Sequence, residues 1–540
     1  MTRVPFWARG PRLIAGLLAL PLLAVLAAAL TPAGEVWGHI ARTFLPEMLA
    51  NTAALALLVA LMAGSAGAVT AWLVTACRFP GRDTLQVALL LPLAVPAYVA
   101  GYAWTWLLDV AGPVQVALRG ATGLRFGAYW FPEMRSLPGA ALVLAMVLYP
   151  YVYLLCRAAF LAQSTCLVEV SRTLGHSLAR TFIHVALPLA RPALVAGTGL
   201  VLMETLADFG TVQHFGLRTF TTGIYEAWFG MADRGAASQL AAALLFCVAL
   251  LMALEQASRG GRRFHPMTTR SAPFQPAPLH GWRAAAATLA CGAPLLLGFV
   301  IPAGALLALM VEAGDSLAPR RFLPYLSNSL LLAAITASLA VLIAAWLAWA
   351  ARLHPGRAAR LANRVAGLGY AVPGSVIAVG TLVPFGFFDN ALDQWMRARF
   401  GVSTGLLLSG TLAALVFAYL VRFQGVALGA VESGLARLKP SFMAAARNLG
   451  ARPGEAARRI ELPLARGSLF TAGILVFVDT MKELPATLIV RPFDFDTLAV
   501  RVYNLASDER LAEASTSALL IVLAGLLPVI ALTRAMRRRE

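Results

Sequence analysis

Five ionisable residues stand where an otherwise apolar chain has least use for them. Glu204 and Asp208 lie inside METLADFG, Asp479, Lys482 and Glu483 lie inside DTMKELPA, and the second pair of carboxylates follows the first by 275 residues. Carboxylates four apart share one face of a helix. At mid-bilayer each costs roughly 2.5 to 3.5 kcal/mol on insertion scales, so all four are expected to face protein or water. Two roles fit. Oxygen donors of this kind, with Tyr225 and Tyr503 nearby, suit weak, passing contact with a hard cation; alternatively Lys482 pairs with Asp479 or Glu483 and the acids tie helices together. Glu204, Asp208, Asp479, Lys482 and Glu483 are the candidate translocation pathway, and no stable metal site is expected. His214, beside Gln213, reads more simply as a hydrogen-bonded histidine than as a ligand. Cys77, Cys156, Cys166, Cys247 and Cys291 form no CxxC pair, which argues against a zinc or disulfide framework.

Two hydrophilic stretches precede these acids at equal distance. EVSRTLGHSLARTFIHVALPLARP (169–192) returns as AAARNLGARPGEAARRIELPLARG (444–467), with 13 residues from glycine to proline in both copies. Each reads as a short helix, a glycine in a left-handed turn, and a second helix leading back to the membrane at Pro188 or Pro463. Ser177 is a candidate cap, and Pro453 suits a first helical turn. A single amphipathic helix lying on anionic lipid would explain one copy; two copies at equal spacing fit paired docking levers better.

The elements that must position these residues are membrane spans. With 59% hydrophobic and 13% charged residues and a mean hydropathy of +0.74, the chain is too apolar for a soluble protein. The net charge of +18 comes from arginines in short loops between apolar runs, which argues against nucleic-acid binding. About 20 apolar residues cross a bilayer core, and that rule places six spans per half. They lie near 13–30, 49–76, 85–108, 137–160, 193–215 and 236–255, then 285–311, 328–351, 365–388, 404–421, 468–489 and 515–533. The first run could pass for a secretory signal, but it is long enough to span and no convincing cleavage site follows it, so it reads as a retained helix. Most arginines fall on one side if the N-terminus is inside, which predicts cytoplasmic N- and C-termini. Asn51, Trp72, Pro80-Gly81-Arg82 and Pro96 find echoes in Asn328, Trp349, Pro355-Gly356-Arg357 and Pro373, 275 to 277 residues on. The expected fold is an all-α polytopic membrane protein, two tandem six-helix domains with about 12 transmembrane helices related by a parallel pseudo-twofold along the membrane normal. The domains are 1–255, with its loop at 163–190, and 284–540, with its loop at 430–466; the proline- and arginine-rich 256–283 is a cytoplasmic linker. Tyr149-Pro150-Tyr151-Val152-Tyr153 reads as a kinked helix, and Trp104, Trp106, Tyr129 and Trp130 as interfacial anchors.

A P-loop needs lysine in GxxxxGK[ST]. The only lysines, Lys439 and Lys482, sit in Leu-Lys-Pro and Met-Lys-Glu, so the chain supplies no such motif of its own. The repeated loops resemble the E-A-A loop of binding-protein-dependent ABC importer permeases, matched by Glu169-Val170-Ser171, Gly175 and Leu187-Pro188, and by Ala444-Ala445-Ala446, Gly450 and Leu462-Pro463. Ala444 departs from the family's acid. The runs 203–228 and 479–515 resemble the ferric-iron importer permeases, whose halves are fused in this way; fused thiamine permeases are similar in plan. The resemblance implies an inner-membrane permease that moves iron(III) from a periplasmic binding protein by alternating access. ATP and Mg²⁺ would belong to a dimer of separate ATP-binding subunits, no cofactor to this chain, and iron would bind only transiently. It implies coupling to the ATPase subunit through Glu169, Arg172, Leu174, Gly175, Pro188, Ala444, Arg447, Leu449, Gly450 and Pro463. Asp494, Asp496, Asp508 and Glu509, in the outside segment Arg491–Glu513, are candidate docking residues for the binding protein. Other cargoes (thiamine, a polyamine, a small anion) remain open, as does an ion-coupled secondary transporter.

Overall fold

A computed structural model describes residues 6–30, 35–163, 165–259, 276–313, 319–438 and 440–537. The part of the linker between 260 and 275 lies outside the described residues. Among the described residues ten helices are long and apolar enough to cross a membrane, and up to 12 spans result if two bent helix pairs each count as one.

In the first half the long helices are α1 (Phe6–Ala29) and α2 (Leu45–Ala76). The expected span 85–108 is broken. A short α3 (Arg82–Ala88) and a single turn (Leu91–Ala94) lead through Pro96, which is extended, into α4 (Ala97–Leu108), with a bend of 93° across the break. Proline at 92 and 96 removes two backbone donors and favours this break. Next come α5 (Leu137–Ala162), which carries Pro150 internally, and α6 (Thr165–Thr173), the first arm of the first loop. The expected span 193–215 is also corrected. The helix α7 (Arg191–Ala207) stops at Asp208, and a separate α8 (Gly210–His214) follows. The half ends with α9 (Arg234–Arg259).

The second half repeats this plan. It runs through α10 (Trp282–Glu312), α11 (Pro319–Leu353), the surface helix α12 (Arg357–Gly367), α13 (Gly374–Phe400) and α14 (Leu412–Ala436). The loop arm α15 (Pro440–Asn448) is followed by α16 (Leu462–Lys482), α17 (Pro485–Val490), α18 (Leu498–Ser507) and α19 (Leu511–Arg537). The expected span 404–421 begins later, at Leu412, because 401–411 is folded onto carboxylates of α13. Asp389 accepts backbone N–H bonds from Leu407, Leu408 and Ser409, and Asp393 accepts those of Thr404 and Gly405. The expected outside segment 491–513 contains a ten-residue helix, α18, with Leu498, Val500 and Val502 buried.

The hydrophobic cores do not follow the sequence halves. One cluster joins α2, α4 and α5 to α10, α18 and α19 of the other half. The other joins α11, α13, α14 and α16 to α1 and α9. Each half thus lends its outer helices to its partner's core. A two-residue parallel bridge, Cys77–Arg78 with Ala277–Pro278, fixes the end of the linker beside α2.

Candidate functional site

Between the halves lies a cavity of about 110 Å³. Its wall includes Glu204, Asp208, Asp479, Lys482 and Glu483, so the structure brings all five pathway residues together. They are not on continuous helices, as four-residue spacing had suggested. Asp208 has extended backbone and caps α8: its Oδ1 accepts the N–H groups of Thr211 (3.0 Å) and Val212 (3.1 Å), and its Oδ2 the Thr211 hydroxyl (2.9 Å). Glu483 repeats this at α17, where its Oε1 accepts from Ala486 N at 3.2 Å. A carboxylate beside the first N–H groups of a helix satisfies donors that have no partner within it. The short Asp-Phe-Gly and Glu-Leu-Pro sequences therefore end one helix and start another.

Two cations also line the cavity, and both come from the second half. Lys482 Nζ lies 2.9 Å from Asp479 Oδ1, and Arg422 Nε lies 3.0 Å from Glu483 Oε2, with Arg422 Nη1 donating to Val372 O at 2.9 Å. At the corresponding places the first half has Ala207 and Val147, which also line the cavity. Glu204 carries no hydrogen bond or ion pair among the described residues. Tyr98, Tyr151 and Tyr370 complete the polar wall. The Tyr98 hydroxyl is buried with no protein partner. Arg422, Tyr98 and Tyr370 carry no local signal in the sequence, since each is isolated in an apolar run, whereas Tyr151 belongs to the Tyr-Pro-Tyr-Val-Tyr string. There Tyr149 and Tyr153 donate to Leu89 O and Gln86 O, while Tyr151, hydrogen-bonded to Tyr370, faces the cavity. Tyr225 and Tyr503 instead pack against Phe209 with tilted rings. Among the described residues, no three His, Cys, Asp or Glu side chains converge closely enough to hold a metal ion.

The two loops are built alike. Gly175 and Gly450 have φ of +83° and +85°, a region closed to most side chains, while the space a Cβ would occupy is open. The turn is held by His176 N to Ser171 O (3.2 Å) in one copy and Ala451 N to Ala446 O (3.0 Å) in the other. Ser177 caps the following turn by accepting from Arg180 N, and Pro453 begins the matching one. Leu174 and Leu449 are 73% and 89% exposed, and Glu169, Arg172, Pro188, Ala444 and Pro463 are exposed as well. The side chain of Arg447 lies outside the described residues.

Where the loops rejoin the membrane helices they differ. In the second half the buried Glu461 accepts from Trp349 Nε1 at 2.8 Å and pairs with Arg352 Nε at 2.8 Å, while Arg352 also donates to Leu435 O and Leu438 O. The matching first-half position is Ala186. There Trp72 packs against Phe160 and Phe182, and Gln163 donates to Ala186 O.

The docking candidates are dispersed. Asp494 is exposed; Asp496 pairs with Arg491, and its carbonyl accepts from Asn328. Asp508 closes α18, and Glu509 lines a second cavity of about 270 Å³ with Asp109, Arg135 and His214. His214 Nε2 lies 2.7 Å from Thr105 Oγ1.

Residues 63–259 and 340–540 each match the family described as binding-protein-dependent transport system inner membrane component. Over 98% of its length the chain is 29% identical to the Fe(3+)-transport system permease protein FbpB 2 of Haemophilus influenzae, of which 99% is covered. Shorter stretches, 28% of this chain, are 32% identical to the molybdenum transport system permease protein ModB of Escherichia coli and 30% identical to the sulfate transport system permease protein CysT of Salmonella typhimurium, covering 62% and 51% of those proteins. Two family matches, one on each repeat and each spanning a glycine-hinged loop and the carboxylates that follow it, establish the chain as a fused, duplicated, multi-pass member of the binding-protein-dependent transport permeases.

Proposed function

We propose that the chain is the permease subunit of an ATP-driven importer that carries iron(III) across the bacterial inner membrane by alternating access, with both termini cytoplasmic. Iron would arrive on a periplasmic binding protein, and ATP would be hydrolysed by a separate pair of subunits gripping the two glycine-hinged loops. The observation that carries the cargo reading is the charge balance of the central cavity. Four carboxylates face two cations, and each cation is already paired with a carboxylate. Glu204 is left open, and carboxylate and phenol oxygens suit a hard ion. The full-length likeness to an Fe(3+) permease supports the same cargo.

A second reading, an oxyanion importer, draws on the molybdenum and sulfate relatives. The N-termini of α8 and α17 face the cavity and would suit an anion, but Asp208 and Glu483 already occupy them. Uptake of radiolabelled ferric iron, molybdate, sulfate and thiamine into cells lacking this chain, with and without its return, tests the cargo. Restoration of iron uptake alone is expected; restoration of another cargo in its place overturns the iron reading. Gradient-driven uptake by the purified chain alone in vesicles would overturn the ATP-driven reading.

A further inference from the structure

The central cavity and the outer cavity are joined by one helix. Along α4 and its C-terminal cap the polar residues Tyr98, Tyr102, Thr105 and Asp109 recur at intervals of four, three and four, which places them on a single face. Tyr98 lines the central cavity; Tyr102, Thr105 and Asp109 line the outer one. The face is continuous, since the Tyr98 and Tyr102 rings lie 5.8 Å apart and the Tyr102 and His214 rings 4.5 Å apart, with Thr105 bonded to His214. It passes from buried at Tyr98 to exposed at Asp109, where Arg135 lies 3.7 Å from the carboxylate.

Two of these residues carry phenol hydroxyls into the interior. The hydroxyls of Tyr98 and Tyr102 are buried, the residues being 5% and 1% exposed, yet neither has a protein hydrogen-bond partner. Buried polar groups are nearly always paired, because an orphaned one costs stability. Packing alone would be served equally well by phenylalanine. Gly210 lets α8 press against this stripe: a Cβ there would lie 2.7 Å from Tyr98 Cβ.

The second half keeps only the first polar position of such a stripe, where the buried Ser375 hydroxyl also has no protein partner. Pro96 and Pro373 begin α4 and α13 in the same way, and on that alignment Tyr98, Tyr102, Thr105 and Asp109 correspond to Ser375, Val379, Leu382 and Gly386. We propose that cargo reaches the central cavity through the first half alone, along the Tyr98–Tyr102–Thr105–Asp109 face of α4, with the two phenol oxygens handing a hard cation from the outer cavity to Glu204. The proposal rests on reading the central cavity as the cargo site.

The test uses cells whose only copy of the chain is the variant and measures uptake of radiolabelled ferric iron. A membrane-impermeant methanethiosulfonate added outside should label Thr105→Cys and block its uptake, while sparing uptake by the wild type and by Leu382→Cys. Tyr98→Phe with Tyr102→Phe should lower the initial rate by about tenfold, the scale of a lost hydrogen bond to an ion, with normal amounts of assembled complex. Absence of labelling at Thr105→Cys, full labelling without block, equal block of Leu382→Cys, or an unchanged rate in the double Phe variant would each overturn the one-sided route. Failure of the wild type to import ferric iron would instead sink the cargo reading, so the two failures are distinguishable.

Discussion

Arg422 and Glu461 show how single buried charges divide the labour of two similar halves. Arg422 is 10% exposed and serves both Glu483 and the Val372 carbonyl. Removing one member of a buried pair leaves the other charge uncompensated, whereas removing both need not destabilise. Arg422→Met is therefore expected to reduce the yield of folded chain from membranes, and Arg422→Met with Glu483→Gln to recover much of it; equal losses on quantitative immunoblots would show that the pairing is incidental. Glu461, 2% exposed at its side chain, anchors both Trp349 and Arg352. Its replacement by alanine should cost about 3 to 5 kcal/mol, read as a lower thermal unfolding midpoint of the purified protein. Ala186→Val, at the matching place in the first half, should shift that midpoint far less. The recurrence of carboxylates at 204/208 and 479/483 was legible in the sequence, as was a pairing of Lys482 with Asp479 or Glu483, of which the structure shows the first. Arg422 was not, because one arginine in an apolar run carries no local signal of what it faces.

The elements around these residues were legible in proportion to how far hydropathy alone defines them. Long spans such as α2, α5 and α11 are plain apolar runs. Hydropathy is blind to a break inside such a run, so α3/α4 and α7/α8 read as single helices, although proline at 92 and 96 and Asp208 before Phe-Gly are the marks of the breaks. The glycine hinges were readable because a left-handed turn excludes most other residues. Gly175→Val or Gly450→Val places a β-branched residue at φ above +80°, a strain of order 1 to 3 kcal/mol, although no neighbour is struck. The hinge should distort and recovery of the ATP-binding subunits on pull-down should be lost, with membrane insertion unchanged; undiminished recovery would remove the docking role. The carboxylates of α13 were not legible because, Arg397 and the Ser403 hydroxyl beside Asp393 apart, their partners are mostly backbone groups in a loop without pattern. Asp389→Ala leaves the N–H groups of Leu407, Leu408 and Ser409 unpaired, and faster hydrogen exchange confined to 401–411 is the expected result.

At the scale of the whole molecule, the tandem duplication was visible from offsets of 275 to 277 residues, but the exchange of outer helices between the cores was not. Periodicity reports which face of a helix is apolar and says nothing of which half covers it. Because α10 and α19 complete the core of α2, α4 and α5, residues 1–259 expressed alone should be degraded or trypsin-sensitive, and co-expression with 276–540 should restore protection. Protection of the first fragment by itself would show that the exchanged helices are dispensable.

That exchange also puts a clock on biogenesis. Synthesis proceeds at roughly 5 to 20 residues per second, and α19 begins only at Leu511. After α5 has emerged, the first core must wait on the order of tens of seconds for its last wall at that rate. Throughout that interval lipid, or an insertion factor, must stand in for helices that have not yet been made, and the nascent chain is most vulnerable to quality-control proteases in the same window.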